Sequence, residues 1–279
     1  MALPSNWKKL HIQNSPTFIM GILNVTPDSF SDGGRYFNLE SAVEHTLKMV
    51  ADGADIIDIG GESTRPGADP VSLEEELNRV VPVIESIRSH SDICISIDSY
   101  KATVADRAVA AGADIINDIS GLQFDHRMIE IACESDVPVV IMHMKGNPRN
   151  MQKNPFYKDL MQEMVAFFQE RVKFCRRNGI KNENIILDPG IGFGKRVQDN
   201  YELLRELHQL KNLGFPILTG PSRKSFIGTT LSSSVENRFE GTVAAVTASI
   251  LNGAKIVRVH DVKEMKQAVV IADEIRGIA

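Results

Sequence analysis

The side chains most able to do chemistry in this sequence stand just after short apolar runs. Asp98 and Asp188 accept hydrogen bonds when ionised, Asn117 both donates and accepts, and Lys224 carries an ammonium. A flat heterocycle with an amino-pyrimidinone edge asks for that mixture. Its ring N–H and exocyclic amine donate to a carboxylate, while its carbonyl accepts from an amide or an ammonium. Arg65, Arg258 and His260 add positive charge, and the planar fork of arginine suits phosphate oxygens. Together they describe a polar heterocycle joined to an anionic group. Each residue also has a simpler reading. Asp98, or Ser99 beside it, caps the next helix. Asn117 satisfies loop backbone, and Asp188 before Pro189 makes a turn. Lys224 and Arg258 are solvated charges, and His143, between two methionines, is a core histidine.

The elements that must position these groups follow from the hydrophobic period. Apolar, β-branched runs at 17–23, 54–59, 93–97, 113–117, 138–142, 184–187, 216–219 and 255–259 read as strands. Amphipathic runs near 39–52, 73–90, 101–111, 125–135, 157–178, 199–211, 236–252 and 262–276 read as helices. The strand runs show no polar alternation, which suggests burial on both faces, as in a parallel sheet. Gly53-Ala54-Asp55, Gly112-Ala113-Asp114 and Gly253-Ala254-Lys255 each close a helix and open a strand, a partial internal echo. Eight strand–helix pairs in 279 residues predict a single (β/α)8 barrel domain over 1–279, with a doubly wound open sheet as the rival. A barrel demands that chemistry sit at the C-terminal ends of its strands. Polar or charged groups do follow every run: Asn24, the 60–67 loop, Asp98, Asn117, His143, Asp188, the 220–225 segment, and Arg258 with His260.

Composition excludes several other classes. Hydrophobic residues make up 43% and charged residues 24%, which is globular rather than disordered. A net charge of -5 without a basic run makes nucleic acid a poor partner. The three cysteines, Cys94, Cys133 and Cys175, have wide spacings and no C-x-x-C, so reduced thiols in the cytoplasm fit better than disulfides or zinc. No secretory signal or membrane span is expected, nor a P-loop, H-E-x-x-H or G-x-S-x-G motif. With no clustered metal ligands, the metal to expect is Mg²⁺ shared with phosphate oxygens.

The segments 21–34 (GILNVTPDSFSDGG) and 58–67 (DIGGESTRPG) resemble the two signatures of the dihydropteroate synthase family. Also similar are Ile97-Asp98-Ser99, Ile116-Asn117-Asp118, Met142-His143-Met144, the 188–195 run DPGIGFGK, Ser222-Arg223-Lys224-Ser225 and Arg258-Val259-His260-Asp261. The match runs in order from about residue 16 to the C-terminus, with no departure at a site position. The resemblance implies a (β/α)8 barrel that joins 7,8-dihydropterin-6-ylmethyl diphosphate to 4-aminobenzoate in folate biosynthesis. By position it implies a pterin pocket of Asp98, Asn117, Met142, Asp188, Phe193 and Lys224. It implies diphosphate binding by Asn24, Arg65, Arg258 and His260, with Mg²⁺ on Asn24. Phe30, Thr64, Arg65, Pro66 and Ser225 would take 4-aminobenzoate, where sulfonamides compete.

The family is thought to break the C–O bond first, leaving a pterin carbocation. Asp32, Arg65, Lys224, Arg258 and His260 are the residues implied in catalysis, with Asp32 placing negative charge near the cation. Loops one and two would close over the site and exclude water. A homodimer is the family's habit. Two rivals stay in view. A methyltetrahydrofolate-using methyltransferase would be expected to lack the Thr64-Arg65-Pro66 loop and the Arg258/His260 pair. A pterin-binding module without activity would keep Asp98, Asn117 and Asp188 but lose the loop residues.

Overall fold

The computed structural model describes residues 15–25, 35–64 and 67–278, with residues 35–38 described by their backbone. Eight parallel strands follow one another: β1 (Phe18–Asn24), β2 (Ile56–Gly60), β3 (Cys94–Asp98), β4 (Ile115–Asp118), β5 (Val139–Met142), β6 (Ile185–Asp188), β7 (Leu218–Thr219) and β8 (Ile256–Val259). Their order in the sheet is β6-β5-β4-β3-β2-β1-β8-β7. A bridge between Leu187 and Ile217, with Leu187 N–H donating to Pro216 O at 3.0 Å, joins β6 to the approach of β7. The sheet is thereby a nearly closed (β/α)8 barrel.

The helices are α1 (Arg35–Ala51), α2 (Leu73–His90), α3 (Ala102–Ala111), α4 (Met128–Ser135), α5 (Leu160–Arg177), α6 (Val197–Glu206), α7 (His208–Lys211), α8 (Ser225–Leu231), α9 (Phe239–Leu251) and α10 (Val262–Ile275). Local sequence explains their ends. Ser72 accepts from Glu75 N–H at 3.2 Å and Asp159 from Gln162 N–H at 3.0 Å, so each caps a helix start. Gly112 ends α3 at φ 118°, a left-handed conformation that only glycine adopts without strain. The sequence pattern reads residues 199–211 as one helix, whereas the structure divides it at Leu207 into α6 and α7. The seven-residue α8 is too short to show a period.

The strands alternate more than their composition suggests. One residue or two from each of the eight strands fill the barrel interior: Phe18 and Met20, Ile56, Cys94, Ile115, Val140, Ile186, Leu218 and Ile256. The intervening positions, among them Ile57, Ile59, Ile95, Ile97, Ile116 and Val257, face outward and pack on the helices. Two residues further along, five of the eight strands turn polar on the inward side: Asp58, Ser96, Asn117, Asp188 and Arg258. The expectation of strands without alternation is therefore corrected. The outer face is apolar apart from Asp118 and Thr219, and the inner face changes from an apolar floor toward a polar rim.

Candidate active site

Strand register decides which side chains meet. Gly60 pairs with both Asn24 and Asp98, so the ends of β1, β2 and β3 are level. A Cβ at Gly60 would lie 3.6 Å from Asp98 Cβ and 3.8 Å from Asn24 Oδ1. Glycine there leaves the floor open between these two side chains. Asp98 also pairs with Asn117 across to β4, and Met142 pairs with Asp188 across β5 and β6. The barrel thus brings Asn24, Asp98, Asn117, Met142, Asp188 and Arg258 to one mouth.

The hydrogen bonds there are unevenly distributed. Arg258 donates from Nε to Asp58 Oδ2 at 2.5 Å and from Nη2 to Asp98 Oδ2 at 2.8 Å. Asn117 Nδ2 donates to both oxygens of Asp58, at 3.3 and 3.1 Å. The other oxygen of Asp98, Oδ1, is buried with no hydrogen-bond partner among the described residues. The helix-cap reading of Asp98 does not hold, because Ala102 N–H at the start of α3 is taken by Asp125 at 2.9 Å. Asp188 does make a turn, accepting Gly190 N–H on Oδ1 at 2.7 Å, and it faces the mouth as well.

Burial sets the charge balance. It raises the Asp98 carboxyl to about 7, with Arg258 opposing the rise. It raises Asp188 to about 6, against Gly190 N–H, Lys224 and Lys195. Burial lowers Lys224 to about 8, helped by Arg258. The Lys224 ammonium sits 4.0 Å above the Phe193 ring, which packs with Ile119, Met142 and Met151. His260 is held by its Nδ1 against Ser222 Oγ at 2.9 Å, and burial lowers it to about 4. It is neutral at neutral pH in the absence of an anion.

The remaining residues fall as follows. Thr64 is half-buried and Ser225 exposed, at the start of α8. Phe30, Asp32, Arg65 and Pro66 lie outside the described residues. His143 is the core histidine its methionine neighbours suggest, buried and edge-on to Phe167. Two groups escaped the sequence reading of the site. Lys195, buried, donates to the carbonyls of His143 at 3.3 Å and Phe193 at 3.1 Å, and so fixes the loop that carries Phe193. Asp58 is the hub of the polar floor. An acid inside a strand, on the same face as an apolar floor residue, was the available signal.

Residues 20–260 match the family model described as pterin binding enzyme. The chain is 52% identical over 258 residues to the dihydropteroate synthase of Synechocystis, an alignment covering 92% of this chain and 89% of the relative. It belongs to the dihydropteroate synthase family. Solved members share the fold closely. A Clostridium difficile dihydropteroate synthase, crystallised in the presence of pteroic acid, superposes with a TM-score of 0.89 at 48% identity, covering 94% of this chain and 98% of that one. A Xanthomonas albilineans dihydropteroate synthase with 4-aminobenzoic acid gives 0.89 at 42% identity, covering 96% and 95%. Family membership makes the polar mouth of this barrel the place to look for pterin chemistry.

Proposed function

We propose that the chain condenses 7,8-dihydropterin-6-ylmethyl diphosphate with 4-aminobenzoate, giving 7,8-dihydropteroate and diphosphate, the folate-pathway activity for which its relatives are named. One observation carries the reading to this site: Asp98 Oδ1 is buried and has no partner among the described residues, at a mouth shared with Asn117, Asp188 and Lys224. A buried acceptor without a donor costs on the order of 1–3 kcal/mol, which a ring N–H removes on binding. Asp188 accepts from the ring's amino edge, Lys224 donates to its carbonyl, and Phe193 and Met142 cover its faces.

The substitution follows a dissociative course. The C–O bond breaks first, and the electron pair leaves with diphosphate. Arg258 supplies fixed positive charge to the departing group. His260 gains its proton as the anion arrives, because nearby negative charge reverses the effect of burial and of Arg258 on its basicity. The cation left on the ring is offset by the ionised carboxylates of Asp98 and Asp188. The arylamine is neutral and nucleophilic at neutral pH, so Thr64 and Ser225 need only hold 4-aminobenzoate in line with the carbon. The amine nitrogen closes the new C–N bond and then loses a proton.

The residues present fit Mg²⁺ shared with substrate phosphates. Among the described residues no three His, Cys, Asp or Glu side chains cluster as metal ligands, and Asn24 brings one neutral oxygen to the open space beside Gly60. That donor set suits a hard cation that keeps waters and takes its other ligands from diphosphate. When bound, Mg²⁺ supplies charge neutralisation at the leaving group.

We place the reaction in the cytoplasm and assign the protein a homodimeric state. Cys94, Cys133 and Cys175 are free thiols, in keeping with a reducing compartment. No helix among the described residues is long and apolar enough to cross a membrane. Exposed Leu231, Leu251, Val270, Ile271 and Ile275 on α8–α10 offer apolar surface for a second copy, which light scattering tests.

The activity is tested by incubating the protein with both substrates and Mg²⁺ and measuring dihydropteroate by mass spectrometry. We expect product, suppressed competitively by a sulfonamide. Tight binding of the pterin diphosphate with no product would support a binding module instead.

A further inference from the structure

Asp58 stands in the middle of β2, fully buried, one inward position below the rim. In the reading above it touches neither substrate. Yet its two oxygens receive the Asn117 amide at 3.3 and 3.1 Å and Arg258 Nε at 2.5 Å. Two consequences follow from both its oxygens accepting. A carboxylate only accepts, so the NH₂ of Asn117 must turn toward it and the carbonyl must turn away. An amide facing another amide carries no such instruction. The second consequence concerns Arg258, whose guanidinium is shared: Nε holds Asp58, and Nη2 holds Asp98. Asp98 divides its carboxylate between the guanidinium on Oδ2 and, in the reading above, the ring on Oδ1. Asp58 touches no substrate, so it anchors the guanidinium whether or not the ring is bound.

We propose that Asp58 is a positioning residue for both ends of the pterin diphosphate. Through Asn117 it sets the acceptor shown to the ring, and through Arg258 it aims the charge that receives the diphosphate. The proposal rests on the function stated above.

The test is Asp58→Asn, which keeps the shape and removes the charge. Two probes separate the two ends: 6-hydroxymethyl-7,8-dihydropterin, which carries the ring alone, and inorganic diphosphate with Mg²⁺. By calorimetry, D58N weakens both by about tenfold or more, a loss of one charge-assisted contact at each end. The KM for 4-aminobenzoate stays within about twofold. Asn117→Ala weakens the ring probe alone. A D58N protein that melts earlier but binds both probes as wild type does would make Asp58 merely structural and overturn the proposal. An equal rise in the KM for 4-aminobenzoate would overturn it too, since that reports a general loosening of the site. If D58N does not fold, the exchange variant D58N/N117D keeps one acid and one amide in contact. It should lose ring binding, because position 117 no longer offers an amide, and weaken inorganic diphosphate as D58N does, because Arg258 has lost its acid; diphosphate binding at wild-type strength contradicts the proposal. Wild-type protein that binds neither probe refutes the functional reading itself, whereas wild-type binding with an indifferent D58N refutes only the role of Asp58.

Discussion

The two ends of the barrel use the same residue types to opposite effect. At the N-terminal end of the strands the acids are satisfied by their neighbours. Asp55 accepts Ile19 N–H at 2.8 Å, and Asp114 accepts Ile95 N–H at 2.9 Å and Arg88 at 2.5 Å. Asp273 accepts the N–H and hydroxyl of Thr17, both at 2.7 Å, and Arg276 at 2.8 Å. The Gly-Ala-Asp echo acquires a physical meaning here: its aspartate ties the start of one strand to the backbone of the strand before it. In the third copy Lys255 takes the aspartate's place and donates to Ser15 O at 3.1 Å. At the C-terminal end one oxygen of Asp98 has no partner among the described residues, and burial has pushed its carboxyl to about 7 and Lys224 down to about 8. Acids at one end hold the barrel together. At the other end Asp58 is satisfied as well, but Asp98 is left for a ligand to complete, a cost in stability that a pre-organised site accepts.

Substitutions at the two ends should therefore separate activity from stability. The largest effect on rate is expected for Arg258→Ala, with kcat down about 10²–10³ in steady-state kinetics, the scale of one lost electrostatic donor. A fall of less than tenfold would break the contrast. Asp98→Asn should weaken pterin binding by about tenfold to a hundredfold, as a carboxylate pairing with ring donors becomes a mismatched amide. Its melting temperature should hold or rise, because a buried acid with one oxygen unpartnered among the described residues has been removed. Asp273→Ala should do the reverse. Losing three hydrogen bonds, two of them buried, is worth about 2–4 kcal/mol, seen as a melting point lower by roughly 5–15 °C with unchanged KM values. The smallest effect is at the exposed Lys181–Asp136 pair, where Lys181→Ala should leave both kcat and the melting point as they were.

The pH dependence sharpens the same contrast. Asp98 is raised from 3.8 to about 7 and Asp188 to about 6, so between these values the folded protein holds protons that the unfolded chain has lost. Their contribution to stability is present below 3.8 and drains away as pH rises through 6 and 7. Lys224, lowered from 10.5 to about 8, acts in the opposite sense, losing its contribution as pH falls through 8. Ring donors need ionised Asp98, so pterin affinity should rise over the same interval in which these two acids cost stability. Calorimetric titrations and thermal melts of Asp98→Asn and wild type across about pH 5–8 read both. Affinity independent of pH would remove Asp98 from the ring contact.

Much of this was legible in the sequence. All eight strands fall within two residues of the predicted runs, because β-branched segments between glycine-closed helices leave little choice of period. Asp98, Asn117, Asp188 and Arg258 could be placed at one mouth because a parallel barrel puts every strand's C-terminal end on the same side. Pairwise facts were not legible. That Arg258 reaches Asp58 and Asp98 depends on a register across 200 and 160 residues of chain, which no local pattern encodes. The inward polar switch was hidden because the outward isoleucines dominate each run. The role of Lys195 was equally hidden, since two of its partners are backbone carbonyls and the third, His143 Nδ1, lies 52 residues away.

The most direct test of the synthase reading is a coupled diphosphate-release assay on the wild-type protein, run with the dihydropterin diphosphate alone and then with 4-aminobenzoate added. We expect release to be slow or absent with the pterin substrate alone and to become rapid and stoichiometric with dihydropteroate once the arylamine is present. Release at one unchanged rate in both conditions, or none in either, would contradict it.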